Sequence, residues 1–201
     1  MEARQLHTAL SPEDYLAMER QADLRHEFVD GEIFAMAGES LEHSVICTNL
    51  AYLMVGQLRG KPCRTLSPNM KVRTSPSGLY AYPDLTVVCG EPVFHDQQRD
   101  VLVNPKIVVE VLSPSTEAYD RGGKWIRYQQ IETLSDYLLI AQDQPLIEHY
   151  TRQADGKWLY SAVGDLADTV PLPSIDCRLP LAEVYDRIRF PEEPPAAAAN
   201  L

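Results

Sequence analysis

The stretch Lys106-Ile107-Val108-Val109-Glu110-Val111-Leu112 decides the reading of this chain. It is apolar on both of its alternating faces, the pattern of a central strand covered from two sides. Such a strand needs helices above and below it. Its interior charge, Glu110, shares a face with Val108 and Leu112 by the two-residue period of a strand. A carboxylate buried there without a partner costs at least several kcal/mol, so a cation, a metal or a set of donors has to meet it. A partly exposed face or a salt bridge to an arginine would serve equally well, and Glu110 alone does not separate these readings.

Downstream, Ser113-Pro114-Ser115-Thr116 turns the chain into a helix expected from Glu117 or Asp120 to Ile131, with Gly122-Gly123 weakening its first turn. Ser135 to Gln142 reads as the next strand, so residues 106–142 fit a βαβ unit. Upstream, Ser11 caps a helix that begins at Pro12. Asp30-Gly31 joins strands 25–29 and 32–36 as a tight hairpin, because glycine tolerates positive φ. Leu41, Val45, Ile46, Leu50, Leu53 and Met54 recur at helical spacing and predict a long helix from Ser40 to about Leu58.

Cys63 to Thr74 and Tyr80 to Cys89, separated by Ser75-Pro76-Ser77-Gly78, read as a second strand pair. Residues 90–104 read as a polar loop. Pro145 to Thr151 and Lys157 to Val163 flank Asp155-Gly156 as a further hairpin, and residues 181–187 read as a short helix. Pro191 to Leu201 reads as a disordered Pro/Ala tail. The expectation is an α/β (α+β) chain with a central mixed β-sheet flanked by helices, in a single domain over residues 1–190.

Composition narrows the function. The 201 residues carry 18 Lys+Arg against 29 Asp+Glu, a net charge of −11, which is a poor electrostatic match to nucleic acid. The acids are unevenly spread, however. None occurs from His43 to Pro83, where Arg59, Lys61, Arg64, Lys71 and Arg73 are expected to offer a local basic strip to a phosphate backbone. An apolar content of 45% excludes disorder of the whole chain. No apolar run approaches the roughly 20 residues of a bilayer span, and Met1 to His7 lacks the apolar core of a signal peptide. Cys47, Cys63, Cys89 and Cys177 include no closely spaced pair, so they read as small buried residues of a reducing compartment. The expected location is cytoplasmic.

Tyr82-Pro83-Asp84 brings a second acid into a strand. Aspartate after proline at a strand start is commonly only turn chemistry. If its strand neighbours that of Glu110, though, Asp84 and Glu110 can converge on one hard cation, because Mg²⁺ is typically held by one or two carboxylates.

The ordered series Glu27-Phe28-Val29-Asp30-Gly31-Glu32-Ile33, Glu42-His43, Pro83-Asp84, Glu110-Val111-Leu112, Ser113-Pro114-Ser115-Thr116, Asp120, Lys124, Tyr128 and Asp136-Tyr137 resembles the Uma-type restriction endonuclease family of small bacterial proteins, within the PD-(D/E)xK nuclease superfamily. The resemblance covers about residues 10 to 190. It implies a restriction-endonuclease-like fold and metal-dependent cleavage of phosphodiester bonds in DNA. Asp84 would take the aspartate of the PD motif and Glu110 the acidic position of (D/E)xK, both as ligands of Mg²⁺ or Mn²⁺. A homodimer is expected, since the superfamily often cuts two strands by pairing subunits.

One position departs from the family's pattern: the lysine expected two residues after the acid is Leu112. The resemblance implies that Lys124 replaces it from the following helix. Lys124 lies four residues after Asp120 and four before Tyr128, on one helical face, and would orient the water or neutralise the phosphate. A solvated Asp120–Lys124 pair worth a few tenths of a kcal/mol is the plainer reading. Lys106 shares Glu110's face but lies about 13 Å along the strand, which makes it a weaker candidate.

Glu27 is a candidate further ligand, through water, or a surface charge on its hairpin. His43 is a candidate acid/base or phosphate contact, or a structural histidine. Tyr80, Tyr82, Tyr119, Trp125 and Tyr128 could stack on bases or pack a core. Two other functions fit the same residues: a catalytically inactive nucleic-acid- or partner-binding domain, and a hydrolase of small phosphoesters with a closed pocket. A paired-carboxylate glycosidase has no aromatic-rich cleft to support it.

Overall fold

The computed structural model describes residues 10–36 and 38–190. Helix α1 (Pro12–Glu19) starts where its cap dictates, with Ser11 Oγ accepting from the Asp14 N–H at 3.1 Å. Strands β1 (His26–Val29) and β2 (Glu32–Ala35) pair antiparallel. Both turn residues, Asp30 and Gly31, have positive φ, 50° and 96°, the twist that a two-residue hairpin requires. Helix α2 (Leu41–Leu58) is capped by Ser40 Oγ and buries Ile46, Leu50, Leu53, Met54 and Leu58 along one side.

Four more strands follow: β3 (Cys63–Leu66), β4 (Lys71–Arg73), β5 (Tyr80–Ala81) and β6 (Leu85–Cys89). After a loop carrying the short β7 (Val101–Leu102) comes β8 (Ile107–Val111), all five of whose residues are buried. The connection to β9 (Asp136–Ile140) is helical through its middle: α3 (Glu117–Tyr119), a π-helical turn over Asp120–Lys124, and α4 (Trp125–Tyr128). The chain closes with the β10 (Ile147–Arg152) and β11 (Trp158–Val163) hairpin, the β12 (Thr169–Leu172) and β13 (Cys177–Pro180) ribbon, and α5 (Leu181–Val184).

The main sheet has the order β11-β10-β9-β8-β6-β3. Strands β8 and β9 are parallel, as the βαβ reading expects, and the remaining pairs are antiparallel, so the sheet is mixed. Ile107, Val109 and Val111 of β8 pack with α2, with the β12–β13 ribbon and with α5. Val108 and Leu112 face the other way, toward Tyr128, Ile131, Leu134 and the smaller five-stranded sheet of order β2-β1-β5-β4-β7. Glu110 belongs to this second face. Helix α1 closes the outer side of the small sheet through Tyr15, Leu16, Phe28 and Tyr80.

The structure corrects three details. The expected strand pair 63–74 with 80–89 is split: β3 pairs with β6 in the main sheet, whereas β4 pairs with β5 in the small one. Pro68 and Pro83 fall in the gaps between these halves, where a missing N–H breaks a ladder. The loop 90–104 is not wholly irregular, because β7 adds to β4 in parallel. Cys63 and Cys89, register partners across β3 and β6, form a disulfide, while Cys47 and Cys177 are free. The expectation of four unpaired cysteines therefore fails at this pair.

No helix among the described residues is long and apolar enough to cross a membrane. The Pro/Ala tail at 191–201 and the reading of Met1 to His7 lie outside the described residues.

Candidate active site

Glu110 sits in the middle of β8 and is only 3% exposed. Its Oε1 accepts from the Tyr128 hydroxyl at 2.9 Å and from Lys124 Nζ at 3.3 Å. The Lys124 ammonium is shared. It also lies 3.0 Å from Glu27 Oε1 on β1 and 3.1 Å from Asp120 Oδ1, one turn earlier on its own helix. Three carboxylates therefore surround one buried cation, an excess of negative charge in a dry place.

The electrostatics follow from that count. Burial lifts the Glu110 carboxyl well above the usual carboxylate range; Lys124 opposes the shift, and the charges of Asp120, Asp84 and Glu27 add to it. Burial also works against the Lys124 ammonium, but Glu110, Glu27 and Asp120 together outweigh it and hold Lys124 charged well beyond the ordinary lysine range. Tyr128, buried against Glu110, is pushed up and stays a hydrogen-bond donor.

Asp84 comes from the bend after Pro83, at the entrance to β6. The register pairs Leu85 with Val109, so continuing it by one residue sets the Asp84 backbone beside Glu110, while the Asp84 carboxylate reaches toward α2, the helix on the other face of the sheet. Asp84 Oδ2 accepts from the Val111 N–H at 2.7 Å, taking the place of a ladder partner. The same oxygen lies 3.3 Å from His43 Nε2 on α2. Burial works against the His43 imidazolium, but the bond to Asp84 and the contact with Cys47 outweigh it, and its pKa is raised to about 11.

Two protein partners thus meet Glu110 on Oε1 and two meet Asp84 on Oδ2. The other oxygen of each carboxylate makes no hydrogen bond with a described residue. Carboxylate oxygens on neighbouring strands are the kind of hard donor that a Mg²⁺-class ion takes from a protein.

The structure brings together five of the residues singled out by sequence: Glu27, Glu110 and Lys124 in one cluster, and Asp84 with His43 beside it. It does so although Leu112 occupies the usual lysine position, because the helix after β8 delivers Lys124. A π turn carries Asp120 and Lys124, and the Asp120 carbonyl accepts from the Tyr137 hydroxyl at 3.0 Å. Gly123 is needed there, since a Cβ would come within 2.3 Å of the Tyr119 ring. Lys106 forms no ion pair among the described residues.

Other expectations fail. The basic strip is partly neutralised: Lys71 is buried and paired with Asp100 at 3.0 Å and Lys61 pairs with Asp176 at 2.8 Å, while Arg73 keeps its charge and donates to His95 Nδ1 at 2.6 Å. Arg59 and Arg64 remain exposed. Tyr80, Tyr82 and Tyr128 are buried, and Trp125 stacks on Tyr137 at 5.4 Å, so these rings build the core rather than a base-stacking surface.

Sequence reasoning missed Glu39 and Cys47, which lie one turn on either side of His43, with side-chain atoms 3.0 and 3.5 Å from its Nδ1. The signal that would have found them is the spacing 39, 43, 47. The surface cavities, one lined by Gln153, Asp155, Trp158 and their neighbours and one by Gln57, Asp176, Cys177 and Arg178, include no residue of the cluster.

A mixed sheet covered by helices, with acids on neighbouring strands at its centre, is the restriction-endonuclease-like fold. The crystal structure described as a putative nuclease belonging to DUF820 from Anabaena variabilis superposes with a TM-score of 0.73, covering 88% of this chain and 97% of that one at 15% identity. Residues 12–182 match the Uma2 family, described as "Putative restriction endonuclease", and the chain belongs to that family. Two relatives from Synechocystis sp. are both named as uncharacterized proteins. One, slr1290, is 38% identical over 185 residues, 90% of this chain and 94% of its own. The other, sll1609, is 35% identical over 150 residues, 75% and 85% respectively.

Proposed function

We propose that this protein is a metal-dependent endonuclease that hydrolyses phosphodiester bonds in DNA, with Asp84 and Glu110 holding Mg²⁺ or Mn²⁺. The observation that carries the reading is the placement of these acids on neighbouring strands, at the entrance to β6 and within β8, each with one oxygen engaged by the protein and the other without a described partner. The excess of acids around Lys124 supports it, because a divalent cation would offset that charge.

When bound, such an ion supplies positive charge against the transition state and acidifies a water molecule. The chain's own residues do the positioning. Lys124 and Tyr128 pin Glu110 Oε1 and so fix the direction of its other oxygen. Val111 N–H and His43 Nε2–H do the same for Asp84, and Glu27 anchors Lys124 from the small sheet. Lys124 is also the cation nearest the acids, and in this reading it meets the phosphate or orients the attacking water. A homodimer would place one such site on each strand of a duplex.

Purified protein incubated with plasmid and with single-stranded DNA, in Mg²⁺ or Mn²⁺, tests the reading. Asp84→Ala and Glu110→Gln are expected to lose roughly 10²- to 10⁴-fold in cleavage rate, the equivalent of the several kcal/mol that a metal ion contributes. Wild-type cleavage no faster than that of Asp84→Ala overturns it. Leu112 at the usual lysine position and the net charge of −11 favour one second reading, a binding domain on the same scaffold. Mn²⁺ binding that is lost in Glu110→Gln, in a protein that cuts nothing, would point there.

A further inference from the structure

A second group of donor atoms lies at the start of α2. Glu39, His43 and Cys47 follow at intervals of four, so the helix and the residue before its cap set them on one side. His43 Nδ1 is 3.0 Å from Glu39 Oε2 and 3.5 Å from Cys47 Sγ, and the three donor atoms all lie within 4.8 Å of one another. In a tetrahedral site with bonds of about 2.0–2.1 Å to nitrogen and oxygen and about 2.3 Å to sulfur, neighbouring ligand atoms stand about 3.3–3.6 Å apart. The two contacts to Nδ1 lie within a few tenths of an ångström of that spacing, and the third separation, between the Glu39 and Cys47 donors, is no more than 4.8 Å.

The donor set selects the ion. Imidazole with thiolate and carboxylate suits Zn²⁺ or Co²⁺, whereas Mg²⁺ and Ca²⁺ take oxygen donors. Exposure selects the kind of site: Glu39 is open to solvent, His43 and Cys47 are partly buried, and three protein ligands leave a fourth position free. The far side of the ring supplies an independent observation. Asp84 Oδ2 lies 3.3 Å from His43 Nε2, and a carboxylate on the second nitrogen is the support that fixes ring orientation and tautomer in metal-bound histidines. The positive end of the α2 dipole opposes a cation here, and burial holds the Cys47 thiol up, so a bound ion would displace the protons of Cys47 and of His43 Nδ1 and then face two negative ligands, Glu39 and the Cys47 thiolate.

We propose that Glu39, His43 and Cys47 form a binding site for one transition-metal ion of the Zn²⁺ class, separate from the Asp84–Glu110 pair and joined to it by the His43–Asp84 contact. The site does not depend on the nuclease reading.

The test is a titration of the full chain, its Cys63–Cys89 bridge intact, with Co²⁺ alone. The expected result is a thiolate-to-cobalt charge-transfer band that saturates at one ion per chain. Zn²⁺ removes it, and a large excess of Mg²⁺ does not. Cys47→Ser abolishes the band, and Glu39→Gln, an exposed change that leaves the fold intact by circular dichroism, weakens Co²⁺ binding by roughly tenfold or more. A folded wild type with no band overturns the proposal, as does a band that persists in Cys47→Ser or yields to Mg²⁺. No nucleic acid enters this readout, so its failure leaves the cleavage assay untouched, and a failed cleavage assay leaves the cobalt band untouched.

Discussion

Replacing Lys124 by methionine keeps most of the apolar stem and removes the one ammonium that Glu27, Asp120 and Glu110 share. Lys124 is 6% exposed and Glu110 3%, so water cannot replace the lost charge. Removing one partner from a buried ion pair costs about 3–5 kcal/mol, a large share of the 5–15 kcal/mol that typically separates folded from unfolded chains. The loss should also depend on pH in a definite direction.

Without Lys124, Glu110 sits even further above its unfolded value, so the folded variant binds more protons than the unfolded chain once the pH passes about 4.3. Stability then falls as pH rises. Wild type shares this fall until its own Glu110 ionises, and above that point only the variant goes on losing about 1.4 kcal/mol per pH unit. Urea unfolding of wild type and Lys124→Met at about pH 5 and about pH 8 measures this, with the linear extrapolation supplying the free energies. The deficit should be smaller at the lower pH. A variant as stable as wild type at both pH values, or a deficit that does not change with pH, would refute the charge-balance account of the cluster.

Three further outcomes are expected. Tyr128→Phe removes the hydroxyl that donates to Glu110 Oε1 and should cost about 1–3 kcal/mol in urea unfolding, the range for a buried polar group left without its partner; no change would mean that this bond contributes nothing. The Cys63–Cys89 bridge spans a sequence separation of 26, for which chain entropy gives about 3.5 kcal/mol. The Cys63→Ser/Cys89→Ser double variant should therefore unfold at lower urea than the oxidised wild type, and equal midpoints would contradict the bridge's contribution. His43 has a folded pKa near 11, above its unfolded value of about 6.5, so the stability it contributes is complete below about 6.5 and is lost as pH rises toward 11. His43→Gln should flatten the alkaline limb of the stability profile, and an unchanged limb counts against the His43–Asp84 contact.

What the sequence discloses depends on how local the determinant is. The turn at Asp30-Gly31, the cap at Ser40 and the all-apolar β8 with its single acid are decided within a few residues, and each forms where local chemistry puts it. Lys124 was within reach for the same reason, since its spacing from Asp120 and Tyr128 is a helical signal. The basic strip was misread because the groups that neutralise it, Asp100 and Asp176, lie 29 and 115 positions away from Lys71 and Lys61 and have no local signature. The division of 63–89 between two sheets and the Cys63–Cys89 bridge are likewise products of strand register, which a separation of 26 residues does not announce. Glu39 and Cys47 had a legible spacing, but it is masked by the amphipathic pattern of a long helix, in which every third or fourth residue shares a side anyway.

The π turn over Asp120–Lys124 makes the helix between β8 and β9 a counting device. Its backbone holds one residue more than a regular α-helix would in the same length, and the anchors at its two ends, the Tyr137 hydroxyl on the Asp120 carbonyl and the Trp125 ring on Tyr137, keep the surplus in. Deleting Gly122 would relieve the backbone while turning one anchor about 100° against the other. Lys124 could then keep step with Asp120 or with Glu110 and Tyr128, but not with both. The number of residues in this segment, more than the identity of most of them, decides whether an ammonium arrives where the strand itself carries only Leu112.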